Sequence, residues 1–424
     1  MSAVNRRSGG NLIAGIAIAL LTALTQIILR RELAPGEFGT LNTLLGLALI
    51  LVVPLGAFSF VLRRALTAAQ LEALHPPLLN RAALVWGILC VVLLFISLPF
   101  LQLPRSSLEY CMLLTIGAAL FAICGRPVTP AKWCAVIGIG AAVMRLIVSA
   151  WAAGNWTLAE SGLAAFALAG LLAGLPALRD QPDTAPFSSA WPTLRAALMP
   201  GLATISVALA LVLFTNSDRV AAQLNLGTVD PDAMVNMPGG NTNSLVNYRL
   251  FDDYQAAGLC MRGLLWSLLP LLGAFYAQRA ALPRTTYASL RFFWIYLGAL
   301  LVGTIAIAFG ANVAGFLFNP NFFAKAPYDQ NGTYIAGYLW SLVPSFAGPF
   351  LALGLLQGVA IFSLASRRHV ECFVLAACSL AYTGVLFYVG HHAELLSACM
   401  FGGALISLMV LLFTGVVRYA RTHP

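Results

Sequence analysis

Apolar positions along this chain neither alternate with polar ones nor keep to one helical face. They run on in blocks of about 18 or more residues, joined by short polar segments. Such blocks are long enough to cross a hydrocarbon layer of roughly 30 Å. Inside lipid the backbone must close its own hydrogen bonds as helix or closed barrel, and unbroken blocks without a period of two select the helix. Twelve spans are predicted, at residues 12–29, 41–62, 82–103, 108–124, 133–151, 158–178, 197–215, 254–277, 292–316, 334–364, 372–389 and 395–417. The fourth is the shortest. The tenth is long and carries Pro344 and Pro349, which predicts a kink or a partly interfacial course. The first block is not expected to be a cleaved signal segment. It is long, lacks a small-residue cleavage site and runs into Arg30 and Arg31.

Composition excludes the soluble alternative. Of 424 residues, 60% are hydrophobic and 9% charged, whereas a soluble domain carries about a quarter charged residues. Basic residues then set an expected orientation, because cytoplasmic loops collect Lys and Arg. Sixteen of the 24, from Arg6 and Arg7 through Arg63, Arg64, Arg279 and Arg367 to Arg421, fall at one end of the spans. Six fall at the other end: Arg30, Arg31, Arg105, Arg219, Arg249 and Lys325. Arg145 and Arg262 lie inside spans. The expectation is a multi-pass protein of a bacterial cytoplasmic (inner) membrane with both termini cytoplasmic. The net charge of +9 is assigned to this topology and to anionic lipid, with no nucleic-acid partner.

Redox and metal chemistry find little support. Eight cysteines sit mostly within spans at spacings that match no metal site or disulfide framework. The His391-His392 pair could bind a metal but reads as a solvated loop. No cofactor is expected, and no metal.

The chain reads as a duplication. Leu55-Gly56-Ala57-Phe58 closes the second span ahead of Arg63, and Leu272-Gly273-Ala274-Phe275 closes the eighth ahead of Arg279. The two lie about half the chain apart, which maps six spans onto six and sets the repeat axis along the membrane normal. The competing reading is a chance tetrapeptide in a chain rich in Leu, Gly, Ala and Phe. The expected halves are residues 1–180 and 181–424, the second with an outer polar insert at 227–253. Its Pro238-Gly239-Gly240-Asn241 core predicts a lid-like loop.

Short motifs carry a family resemblance. Arg30-Arg31-Glu32-Leu33-Ala34-Pro35-Gly36-Glu37-Phe38-Gly39 resembles the first outer loop of polysaccharide flippases. Asn216-Ser217-Asp218-Arg219 and Tyr254-Gln255-Ala256-Ala257 resemble two further elements of the same group, separated here by the insert. The group is the MATE-like, or MOP, superfamily, which includes Wzx-type O-antigen flippases and multidrug antiporters. The topology resemblance covers the whole chain and the motifs about a fifth of it. It implies an all-α V-shaped bundle of two six-helix halves, with the first, second, seventh and eighth helices along the substrate path. It also implies a flippase for a lipid-linked (polyprenyl-pyrophosphate) oligosaccharide in cell-surface polysaccharide synthesis. The partners it implies are that substrate, membrane lipid, and a polysaccharide polymerase or glycosyltransferase.

Charge at depth names the candidate substrate-binding residues. A charged side chain in hydrocarbon costs several kcal/mol and persists beside a partner or a wet cavity. Arg262 and Arg145 are such residues, and each has the alternative of snorkelling to headgroups. Thr22, Thr25, Gln26 and Arg30 form one polar stripe, while Gln255, Gly258 and Arg262 share a second helix face. The candidates are therefore Arg262, Arg30, Arg31, Gln26, Gln255 and Arg145, as a cationic lining for phosphate. Acids are read as clustering at span ends, with none at mid-membrane, which favours an anionic substrate. A MATE-type cation-coupled multidrug antiporter is the alternative, with Asp218 or Asp253 as its coupling group. A polytopic glycosyltransferase or polymerase, using Asp230, Asp232, Asp252 and Asp253, ranks third, so no enzyme is expected.

Overall fold

A computed structural model describes residues 17, 20–22, 24–30, 33, 36–65, 92, 96, 143, 147, 191–226, 242–281, 291–318, 338–389 and 393–422. The described residues form helices and no strand. We label them α1 (Leu20–Arg30), α2 (Glu37–Ala65), α3 (Trp191–Leu226), α4 (Thr242–Ala281), α5 (Arg291–Phe318), α6 (Tyr338–Ser345), α7 (Ala347–Ala365), α8 (His369–Val389) and α9 (Ala393–Thr422). The third to sixth expected spans lie outside the described residues, apart from Val92, Ile96, Val143 and Ile147, which are helical and exposed.

Six spans long and apolar enough to cross a membrane stand in the C-terminal half: Leu198–Leu224, Leu250–Tyr276, Arg291–Val313, Leu342–Ala365, His369–Tyr388 and Leu395–Val417. They are the seventh to twelfth expected spans. Their outer faces are apolar, with Trp294, Val302, Phe309, Ile406 and Phe413 all exposed. Lipid tails are as apolar as these side chains, so association rests on close packing and buried polar contacts. Packing centres on α7, whose Leu353, Leu356 and Ala360 are buried against α4 and α5. Tyr296 of α5 donates to the Gly354 carbonyl at 2.8 Å and ties the two helices together.

The tenth expected span is broken, as its prolines require. Pro344 and Pro349 cannot donate to the helical ladder, and α6 gives way to α7 at Phe346. The break turns Phe346 onto Tyr254, with ring centroids 5.1 Å apart, and onto Phe350 at 5.9 Å.

Two expectations are corrected. Arg219, counted at the outer end of the bundle, lies inside the span Leu198–Leu224 and is buried. The seventh span runs past Thr215 because Ser217 and Asp218 find partners within the bundle and Arg219 is enclosed against the Trp266 ring, so none of the three faces lipid. The insert is also shorter than expected. Residues 242–253 continue α4 as helix, and only 227–241 are left outside the described residues.

Candidate functional site

Helix α2 starts at a sharp turn. Gly36 takes φ 89°, a left-handed conformation that glycine adopts without a Cβ clash. The first turn of any helix leaves backbone N–H groups without intrahelical acceptors. Here they are met from across the bundle. The Asp252 carboxylate of α4 accepts from the Gly36 N–H at 2.8 Å and the Gly39 N–H at 2.7 Å. Its negative charge also sits at the positive end of the α2 dipole. Beside it Arg30, at the end of α1, pairs with Asp253. Phe251 packs against Gly39 so closely that a Cβ there would enter its ring. These contacts seam α1 and α2 to α4.

Deeper in the bundle the seam becomes a buried polar cluster. Arg262 of α4 pairs with Asp218 of α3, and both side chains are 0% exposed. Arg262 Nε donates to the Thr215 carbonyl at 2.6 Å, and the guanidinium lies 5.3 Å from the centroid of the Phe350 ring. Gly258, one turn before Arg262, leaves the space that the guanidinium fills. The Tyr254 hydroxyl donates to Asp218 Oδ2 at 3.2 Å. Thr43 of α2 and Gln255 of α4 both donate to the Arg219 carbonyl, at 3.2 and 3.1 Å. Asn42 Nδ2 reaches the Phe38 carbonyl at 2.9 Å and Gln26 Oε1 at 3.5 Å.

The structure thus brings together four of the six candidates, Gln26, Arg30, Gln255 and Arg262, at the meeting of α1, α2, α3 and α4. Arg31 and Arg145 lie outside the described residues. The expectation that no carboxylate is buried is overturned. Asp218 lies wholly inside the bundle as the partner of Arg262, and Asp252 and Asp253 are engaged in the seam. The sequence reading missed Asp218 and Arg219 as interior residues. The signal was present in spacing. Asn216, Arg219 and Gln223 recur at intervals of three and four, as one helix face does, and all are buried.

Below the cluster, toward the end of the bundle that carries Arg279, Arg367 and Arg368, is a cavity of about 390 Å³. Leu49 and Val53 of α2 form one wall. Val207, Leu211 and Asn216 of α3, Trp266 and Leu272 of α4 and Gln357 of α7 form the rest. It is an apolar chamber with a few amide and hydroxyl groups, and its Thr215 and Trp266 walls back onto Arg262 and Arg219 of the charged cluster. Arg279 and Arg368 both lie over the Phe362 ring, at 5.7 and 5.2 Å, and mark its basic end.

No protein-family model matches the chain, and no curated protein matches it. Solved structures do. An inward-facing multidrug resistance MATE family transporter of the MOP superfamily shares 14% identity over 98% of this chain and 95% of its own, with a TM-score of 0.56. MATE in complex with MaD3S gives 15% identity, 99% and 96% coverage and a TM-score of 0.58. The eukaryotic MATE transporter AtDTX14 gives 11%, 97% and 96%, with a TM-score of 0.55. The fold of this chain is therefore the twelve-helix MATE fold, over nearly its full length, and it is a multi-pass membrane protein.

Proposed function

We propose that this chain is a flippase that carries a lipid-linked (polyprenyl-pyrophosphate) oligosaccharide across the cytoplasmic membrane for cell-surface polysaccharide synthesis. One observation carries the reading. Behind the cavity wall at Thr215 and Trp266 lie two buried guanidinium groups, Arg262 and Arg219, with a single buried carboxylate, Asp218, paired to Arg262. An interior with excess positive charge attracts an anionic headgroup and repels a cationic drug. A chamber between two halves that rock about it is the usual site of alternating access. In a strain lacking the gene, lipid-linked oligosaccharide is expected to accumulate on the inner leaflet and to clear when the wild-type gene is restored. Unchanged leaflet distribution would refute the proposal.

The second reading, a MATE-type cation-coupled multidrug antiporter, is favoured by Asp218 itself. A cation-coupled exchanger needs a carboxylate within the bundle, and Asp218 Oδ1 has no hydrogen-bond partner among the described residues. That reading expects efflux of a cationic dye down an imposed ion gradient and its loss in Asp218→Asn. The enzyme reading draws no support from the seam. Asp252 and Asp253 are occupied there as helix cap and ion-pair partner.

A further inference from the structure

The two arginines of the cluster are not equivalent. Arg262 is held by Asp218, the Thr215 carbonyl and the Phe350 ring, and Nη1 alone of its nitrogens has no hydrogen-bond partner among the described residues. Arg219 is as deeply buried, yet its Nε and Nη2 have no hydrogen-bond partner among the described residues. The neighbouring carboxylate does not serve it either: Asp218 Oδ2 is taken by Arg262 and Tyr254, and Asp218 Oδ1 has no hydrogen-bond partner among the described residues. Leaving donors of a buried charged group open is costly, and a native structure that does so needs a reason.

The surroundings of Arg219 supply one. Its carbonyl is pinned by Thr43 and Gln255, so the residue cannot shift along the seam. Its guanidinium lies 5.7 Å from the centroid of the Trp266 ring, and Trp266 also lines the cavity. Asn216, one turn earlier on α3, lines it too. The remaining side is covered by α2 at Gly46, where an added Cβ would stand 3.1 Å from Arg219 Cδ. Arg219 is a preoriented fork with two open donors, set behind the Trp266 wall of the chamber and covered by the helix that must withdraw when the halves part.

We propose that Arg219 is the anion-binding residue of the transport path. When α2 draws away, its Nε and Nη2 take two oxygens of the substrate's phosphate, and Trp266 keeps the guanidinium plane in place. A planar fork matches an oxyanion bidentately, which a lysine does not. Arg262 then positions Asp218 and is not itself the ligand. The assignment rests on the flippase reading and specifies its headgroup site.

The test is calorimetric titration of the purified full-length protein. The probes are farnesyl pyrophosphate, farnesol, inorganic pyrophosphate and tetraphenylphosphonium. The wild type is expected to bind farnesyl pyrophosphate but neither the alcohol nor the cation. Arg219→Gln is expected to weaken that binding roughly tenfold or more, and Arg219→Lys by less. Equal affinity for inorganic pyrophosphate would make the ligand a free anion, and preference for the farnesyl form would make it a lipid headgroup; both retain the site. Arg219→Gln binding farnesyl pyrophosphate as tightly as the wild type overturns the assignment and leaves the flippase reading standing. Wild type that binds the cation and no pyrophosphate overturns both. Should Arg219→Gln not fold, peptide-resolved phenylglyoxal modification of the wild type decides the matter. Farnesyl pyrophosphate is expected to slow the reaction at Arg219, and an unchanged rate overturns the proposal.

Discussion

Arg262 illustrates how far a single residue can be read in advance. One charge in a long apolar block announces a partner, and the structure supplies Asp218. The partner was not legible, because Asn216-Ser217-Asp218-Arg219 looks like the polar end of a span until three more helices close around it. Local hydropathy cannot distinguish a residue that leaves the membrane from one that is shielded within it. The pair has a testable energetics. Removing one partner of a buried ion pair leaves an uncompensated charge and costs about 3–5 kcal/mol, whereas replacing both by apolar residues is close to neutral. Asp218→Leu and Arg262→Met are each expected to lower the melting temperature in detergent sharply. The double variant is expected to recover most of it without recovering transport. A double variant no more stable than either single one would show that the pair is not the partnership that holds α3 to α4.

At the scale of the element, helices were legible and their partners were not. The six described spans agree with the predicted ones to within a few residues, except that a buried polar face carries α3 beyond Thr215 and α4 back before Tyr254, and that the tenth starts at Leu342 and not at 334. The break at Phe346 followed from Pro344 and Pro349 alone. What the sequence does not carry is that the acceptor for the α2 N-terminus stands on α4, more than 200 positions away, as Asp252. A cap of this kind contributes about 1 kcal/mol, so its removal is expected to speed local opening severalfold. In Asp252→Ala, amide hydrogen exchange at Gly36 and Gly39 should rise by that factor, while the α7–α8 region stays as in the wild type. Asp252→Asn keeps an acceptor and should fall between. Exchange at Gly36 and Gly39 that ignores both substitutions would remove the cap from the account of the seam.

For the whole molecule, hydropathy and basic asymmetry predicted a two-ended bundle, and among the described residues the two ends differ. One end is seamed by Arg30–Asp253, by Asp252 on the α2 N-terminus and by Phe251 against Gly39. At about 1.5 Å per residue, the Arg262–Asp218 pair lies roughly 15 Å further along α4 from Asp252. The cavity begins beyond it, toward the end marked by Arg279 and Arg368. Under the proposed function, described helices that meet at one end and leave a hollow toward the other would present the chamber to one compartment at a time. If the basic end is cytoplasmic, as positive-inside asymmetry predicts, that compartment is the cytoplasm. Thr204→Cys and Gln357→Cys, both in the cavity wall, are therefore expected to react with a membrane-impermeant maleimide in inside-out vesicles and to be protected in intact cells. Adding Asp252→Ala loosens the sealed end, so the same two positions should gain reactivity from the outside. If instead they react from outside without that substitution and are protected from inside, the orientation is reversed. The seam at Asp252 would then be the cytoplasmic gate, and the substrate would meet Arg219 from the opposite side of the membrane.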